Sequence, residues 1–144
     1  MPPFPKPAGE WLIDTLGLEP HPEGGWYRRT WEAPAPAGER PASSAIYYLL
    51  LQGEVSLPHR IDATELWHFY AGDPLELHRD PPGGAAGVTI LGPDVGTGQR
   101  PQAVVEAGVW QWARPLGRFA LVGATVTPAF TFEGFELRPG PGAD

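Results

Sequence analysis

Apolar residues along the chain come in short runs broken by glycine and proline. Residues 26–32 alternate, with Trp26, Arg28 and Thr30 on one side and Tyr27, Arg29 and Trp31 on the other, the pattern of a strand with two unlike faces. An arginine on each side leaves open which face turns inward. Residues 44–52 are apolar almost throughout, as a buried strand is. Residues 55–61, 65–70, 75–79, 87–91, 102–105, 109–112 and 119–126 repeat the short-run pattern, with turn-forming residues between them. The spacing predicts about ten strands, and 75–79 with 87–91 reads as a hairpin around Asp80-Pro81-Pro82-Gly83-Gly84. The exception is 10–17, acidic at its start and closed by Gly17, which reads as a short helix with Trp11, Leu12, Thr15 and Leu16 as its inward stripe. The fold class is therefore all-β, a double-sheet jelly roll with one short N-terminal helix.

The organisation that follows is a loose proline-rich lead-in over 1–9, one domain over 10–137 and a frayed tail over 138–144. Residues 33–42 form a long Pro/Ala/Gly loop, either mobile or draped over the mouth of the barrel.

Ionisable side chains concentrate in 53–72, GEVSLPHRIDATELWHFYAG. Two strand-like runs separated by Asp62-Ala63-Thr64 read as a tight strand pair. Side chains alternate along a strand, so His59 and Ile61 share one face, while Glu65, Trp67 and Phe69 share one face of the next. If those faces form one wall, an imidazole and a carboxylate project into an aromatic-lined interior, the makings of a binding site.

Composition narrows the function classes. A length of 144 residues suffices for one domain with a real core. Glycine and proline number 19 each, yet 42% hydrophobic and 11% aromatic residues argue for a folded chain. The net charge of −7 is spread without a basic block, so nothing supplies the phosphate-neutralising patch that nucleic acid requires. No apolar run approaches the ~20 residues that span a bilayer, and the N-terminus lacks the order of a signal peptide. The expectation is a cytoplasmic protein without nucleic-acid or membrane partners. The absence of cysteine removes disulfide, thiolate and zinc-ribbon chemistry.

The spacing of Gly53, His59, Ile61, Glu65 and Gly72 resembles the first motif of the cupin superfamily, with Ile61 where metal-binding members carry a second histidine. Residues 106–111 are similar to the second motif, with Glu106 in its proline position and Gln111 in its metal-histidine position. The strings HPEGG (21–25), SAIYYLL (44–50), ELWHFYAGDPLEL (65–77) and FTFEGFEL (130–137) resemble one small cupin family of unknown function. The resemblance implies a single-domain jelly roll, usually dimeric, similar in shape to the deoxysugar-nucleotide epimerases.

The candidate catalytic residues are His59 as base, Glu65 as the carboxylate that orients it and Tyr47 as proton donor. Trp67, Phe69 and Gln111 are candidate lining residues, and Arg28 and Arg60 candidate anchors for an anionic group. A metal would have to use His59, Glu65 and Gln111, and a neutral amide is a poor donor to a divalent ion. No cofactor is expected, with a weakly held, exchangeable divalent ion as the alternative. His68 falls on the strand face opposite Glu65, His21 reads as a turn histidine bonded to backbone, and His78 as solvent-exposed. The favoured function is a small-molecule isomerase or epimerase acting on a sugar or nucleotide-linked sugar. The rivals are a ligand-binding or sensing dimer and a metal-dependent enzyme.

Overall fold

A computed structural model of the chain describes residues 7–138. Most of the expected lead-in, and all but the first residue of the expected tail, lie outside the described residues. In chain order the elements are helix α1 (Trp11–Leu16) and strands β1 (Glu19–Pro20), β2 (Trp26–Glu32), β3 (Ser44–Leu51), β4 (Ser56–Ile61), β5 (Thr64–Gly72), β6 (Leu75–Asp80), β7 (Gly87–Leu91), β8 (Gln102–Val105), β9 (Trp110–Pro115), β10 (Phe119–Thr127) and β11 (Phe135–Leu137), with a 3-10 turn at Val95–Thr97. They form a six-stranded sheet, ordered β1-β2-β3-β10-β5-β8, and a five-stranded sheet, ordered β11-β4-β9-β6-β7. All strand pairs are antiparallel. This is the jelly roll that the run pattern predicts. The expected hairpin is β6–β7, and the strands the pattern missed are β1 and β11, each too short to show a period.

Alternation along β3 sorts the interior into two parts. Tyr48 and Leu50 turn between the sheets, onto Trp67, Leu75, Leu77, Leu91, Val105 and Val122. Leu49 and Leu51 turn the other way, under α1, against Leu12 and Leu18. Gly17 ends the helix in the left-handed region, φ 67°, with its N–H on the Asp14 and Ile13 carbonyls. The buried stripe of α1 is Leu12, Ile13 and Leu16, a correction to the expected one. Trp11 is 62% exposed and Thr15 lies on the same outer side, because residues i and i+4 share a face.

A second correction concerns 53–72. β4 and β5 are not paired: β4 bonds to β9 and β11, while β5 bonds to β10 and β8. The Asp62-Ala63 corner carries the chain from one sheet to the other, with Ala63 buried and Asp62 held by Arg40 at 2.8 Å. His59 and Glu65 therefore approach the interior from opposite walls. Among the described residues no helix is long and apolar enough to cross a membrane.

Candidate functional site

The HPEGG turn sets one wall. His21 N–H donates to the Gly25 carbonyl at 2.9 Å, and Leu57 N–H on β4 donates to the Glu23 carbonyl at 2.7 Å. Gly24 (φ 104°) lies so close to β4 that a Cβ would collide with the Val55 carbonyl oxygen. The turn is thereby seated on β4 with the Glu23 side chain directed inward. Its Oε2 accepts from Ser56 Oγ at 2.5 Å and lies 2.8 Å from His59 Nδ1, which also meets the Leu57 carbonyl at 2.7 Å.

Both partners are buried, so the interaction is strong and its charges are set by each other. Burial works against an imidazolium at His59, but the Glu23 carboxylate and its hydrogen bond outweigh it and raise the histidine to about 9. Burial likewise opposes the Glu23 carboxylate, and His59 with Ser56 still holds it below the usual range. His59 is thus a cation at neutral pH. Its Nδ1 is committed, Nε2 has no partner among the described residues, and no buried polar atom there is left unsatisfied. Nε2–H accordingly faces the cavity.

His21 stands beside this pair in a different state. Its Nδ1 accepts the Glu23 backbone N–H at 3.1 Å, which places the proton of the neutral ring on Nε2. Burial, aided by the His59 charge and opposed by Glu23, pushes its pKa down.

Glu65 enters from the opposite wall, on β5. Gln111 Nε2 donates to its Oε1 at 2.7 Å, and the Gln111 Oε1 accepts Trp67 Nε1–H at 2.9 Å. Burial drives Glu65 up to about 7, with nearby Glu23 adding to the rise and His59 and Gln111 opposing it. His21, Glu23, His59 and Glu65 line one cavity of about 470 Å³, together with Tyr27, Ile46, Phe130 and Phe132, a size within the range of small-molecule sites. At the mouth, Arg29 is paired with Glu32 at 2.6 Å. Arg40 Nε donates to the Ala129 carbonyl at 2.8 Å, so the 33–42 loop is fastened to the segment that follows β10, and Pro41 joins the lining.

The candidate residues divide accordingly. His59 and Glu65 line the cavity, and Gln111 with Trp67 backs Glu65. Glu65 makes no direct bond to His59 among the described residues; the orienting carboxylate is Glu23, because the turn brings it to β4 while Glu65 belongs to the other sheet. Tyr47 lies on the α1 side of β3, edge-on to Tyr70, and Tyr48, one residue on, is the inward tyrosine, its hydroxyl donating to the Gly24 carbonyl at 2.5 Å. Phe69 packs against the core between the sheets and does not line the cavity. Arg28 also points away, its Nη1 on the Leu16 carbonyl, and Arg60 is outside on Glu136 and Trp110. Arg29 occupies the mouth because Tyr27 and Arg29 form the inward face of β2. His68 is on the outer face with Thr125 and Tyr70, as the alternation predicts. His78 is not free in solvent: it stacks on Trp112 at 3.7 Å and meets Glu76 at 2.7 Å.

The donor set does not fit a divalent ion. Gln111 spends its oxygen on Trp67 and turns its amide nitrogen, a non-ligand, toward Glu65. His59 is held as a cation by Glu23, so an ion would first have to displace its Nε2 proton. Among the described residues no three His, Asp or Glu side chains are grouped to hold a metal.

Comparison with solved structures places the architecture. Protein SO0799 from Shewanella oneidensis is 39% identical, with a TM-score of 0.86 over 93% of this chain and 85% of that one. A hypothetical protein from Leishmania major is 28% identical, with a TM-score of 0.83 over 90% of this chain and 86% of its own. An oxalate decarboxylase from Lactobacillus farciminis, in complex with formate, shares the fold at 15% identity and a TM-score of 0.63, over 83% of this chain and 33% of its own. No curated protein matches the chain. The family model described as cupin superfamily (DUF985) matches residues 10–138, and the chain belongs to that family.

Proposed function

We propose that the protein is a proton-transfer enzyme of isomerase or epimerase type, acting on a small hydroxy-carbonyl compound held between the two sheets. The observation that carries the reading is the pairing of unlike groups in one cavity: His59, raised to about 9 by Glu23, and Glu65, raised to about 7 by burial. A cavity with titratable groups displaced from their usual values is the default candidate for catalysis.

The assignment reverses the role expected of His59. A histidine kept charged at neutral pH is an acid, and a carboxylate near 7 is a base strong enough to be useful and still half ionised. Glu65 removes the proton from the carbon next to the substrate carbonyl. The C–H electron pair moves into the carbon–carbon bond, and the carbonyl oxygen takes a hydrogen bond or proton from His59 Nε2. For an epimer, His59 takes the oxygen proton back as the carbonyl re-forms and a proton from solvent enters the opposite face of the same carbon. For an isomer, Glu65 returns its proton to the former carbonyl carbon while the now neutral His59 takes the proton of the neighbouring hydroxyl, which becomes the new carbonyl. Neutral His21, with Nε2–H available, adds a donor without adding charge.

The test is solvent exchange. Incubation in D2O with a panel of aldoses, ketoses and their phosphates, read by proton NMR, should show deuterium entering next to a carbonyl. Glu65→Gln should slow that exchange by about 10²- to 10⁴-fold. A compound that is retained but neither exchanged nor converted would make the protein a binding module and end this reading.

A further inference from the structure

The charge around the cavity narrows the substrate, an inference that rests on the proton-transfer reading. Among the described residues four carboxylates line it, Glu19, Glu23, Glu32 and Glu65, against two cations, Arg29 and His59. The charge of each is already matched by a carboxylate. Arg29 donates through Nη1 to Glu32 Oε2 at 2.6 Å and through Nη2 to the Phe130 carbonyl at 3.2 Å, and the His59 charge is matched by Glu23 at 2.8 Å.

Guanidiniums outside the lining are also engaged. Arg40 is forked onto Asp62 at 2.8 and 3.1 Å, Arg28 is on the Leu16 carbonyl, and Arg60 is on Glu136 at 2.7 Å. A phosphate or carboxylate entering the mouth would compete with Glu32 for Arg29 and sit among like charges. A hydroxyl group faces no such opposition, since it donates to a carboxylate and accepts from the Nε2–H of His21 or His59. The Phe130 and Phe132 rings, 5.0 Å apart and nearly perpendicular, offer apolar cover for the C–H side of a ring.

We infer that the cavity takes an uncharged polyhydroxy-carbonyl compound, a free sugar or a molecule of that chemistry, and selects against phosphorylated and nucleotide-linked forms through the Arg29–Glu32 pair at its mouth.

The experiment uses the whole protein with 15N-labelled histidine and matched probes: glucose against glucose phosphate, fructose against fructose phosphate, and UDP-glucose. The His21 and His59 ring resonances report occupancy. At least one neutral sugar should shift them saturably, with a dissociation constant at least ~10-fold below that of its phosphate. A charged probe that binds as tightly, or no response to either neutral sugar, would overturn the inference. Glu32→Gln frees Arg29 and should tighten the sugar phosphates by about 10-fold; an unchanged constant would remove Arg29–Glu32 as the selector. The two readings fail separately. Deuterium exchange into a sugar phosphate would keep the proton-transfer chemistry and sink the neutral substrate, whereas a neutral sugar bound without exchange would do the reverse.

Discussion

Glu23 Oε2 lies 2.8 Å from Nδ1 of His59, so a carboxylate from an irregular turn fixes the charge of a histidine buried on β4. Everything proposed for the site depends on that contact. Replacing the carboxylate with an amide removes the attraction and leaves the burial. In Glu23→Gln, His59 should titrate at or below its ordinary 6.5 instead of at about 9. Histidine NMR titration measures the change directly, and turnover at neutral pH should fall by at least ~10².

The proposed acid and base also set a pH profile. Glu65 must be ionised and His59 protonated, so kcat/KM should rise through about 7 and fall through about 9. Those limbs belong to the coupled set of groups. Glu23→Gln should move the alkaline limb down and leave a profile too narrow to show a plateau.

Stability should fall as pH rises from 4.5 to about 9. The folded-state value of His59 is above its unfolded one, so its contribution is complete below 6.5 and lost as pH passes about 9. Glu65 is also raised, from 4.5 to about 7, so the folded state again holds the proton longer and loses stability between those values. Glu23 is shifted the other way and loses its contribution only toward acid. Urea midpoints measured on either side of 7 and of 9 check the sign, and Glu65→Gln should flatten the lower part of the curve.

Gln111 ties Trp67 to Glu65 and is fully buried. In Gln111→Leu the indole N–H and the Glu65 carboxyl lose a partner each, and the fold should lose about 1–3 kcal/mol per unsatisfied group. Loss of the donor should also raise Glu65 further, so the acid limb of the rate profile should move up.

Tyr47→Phe and Arg60→Ala serve as controls. Neither side chain reaches the cavity, so ligand binding and rate should stay at the level of the parent chain. A substantial loss of turnover in either would mean that the site extends beyond the space between the sheets.

The jelly roll and the inward places of His59 and Glu65 were legible because they rest on local spacing: runs of period two, and a glycine-bounded segment with a histidine and a carboxylate at fixed offsets. The family was legible from continuous strings such as ELWHFYAGDPLEL. Glu23 was not, since HPEGG has no period and its approach to β4 depends on contacts made across the fold. The strand pair expected at 53–72 fails for a similar reason: a three-residue separator is as compatible with a corner between sheets as with a hairpin, and the pairing of β4 with β9 and β11 and of β5 with β10 and β8 decides it. Within β3 the apolar run hides its own parity. Tyr47 and Tyr48 look equivalent in sequence and lie on opposite faces in the fold. Arg28 and Arg29 pose the same ambiguity on β2.

The measurement that bears most directly on the account is a single pH titration of the whole protein labelled with 15N at histidine and 13C at the glutamate carboxyls. The His59 ring should remain charged until about 9 while the Glu65 carboxyl remains protonated until about 7. Midpoints near the ordinary 6.5 and 4.5 would contradict it, because the cavity would then hold neither the acid nor the base on which the chemistry is built.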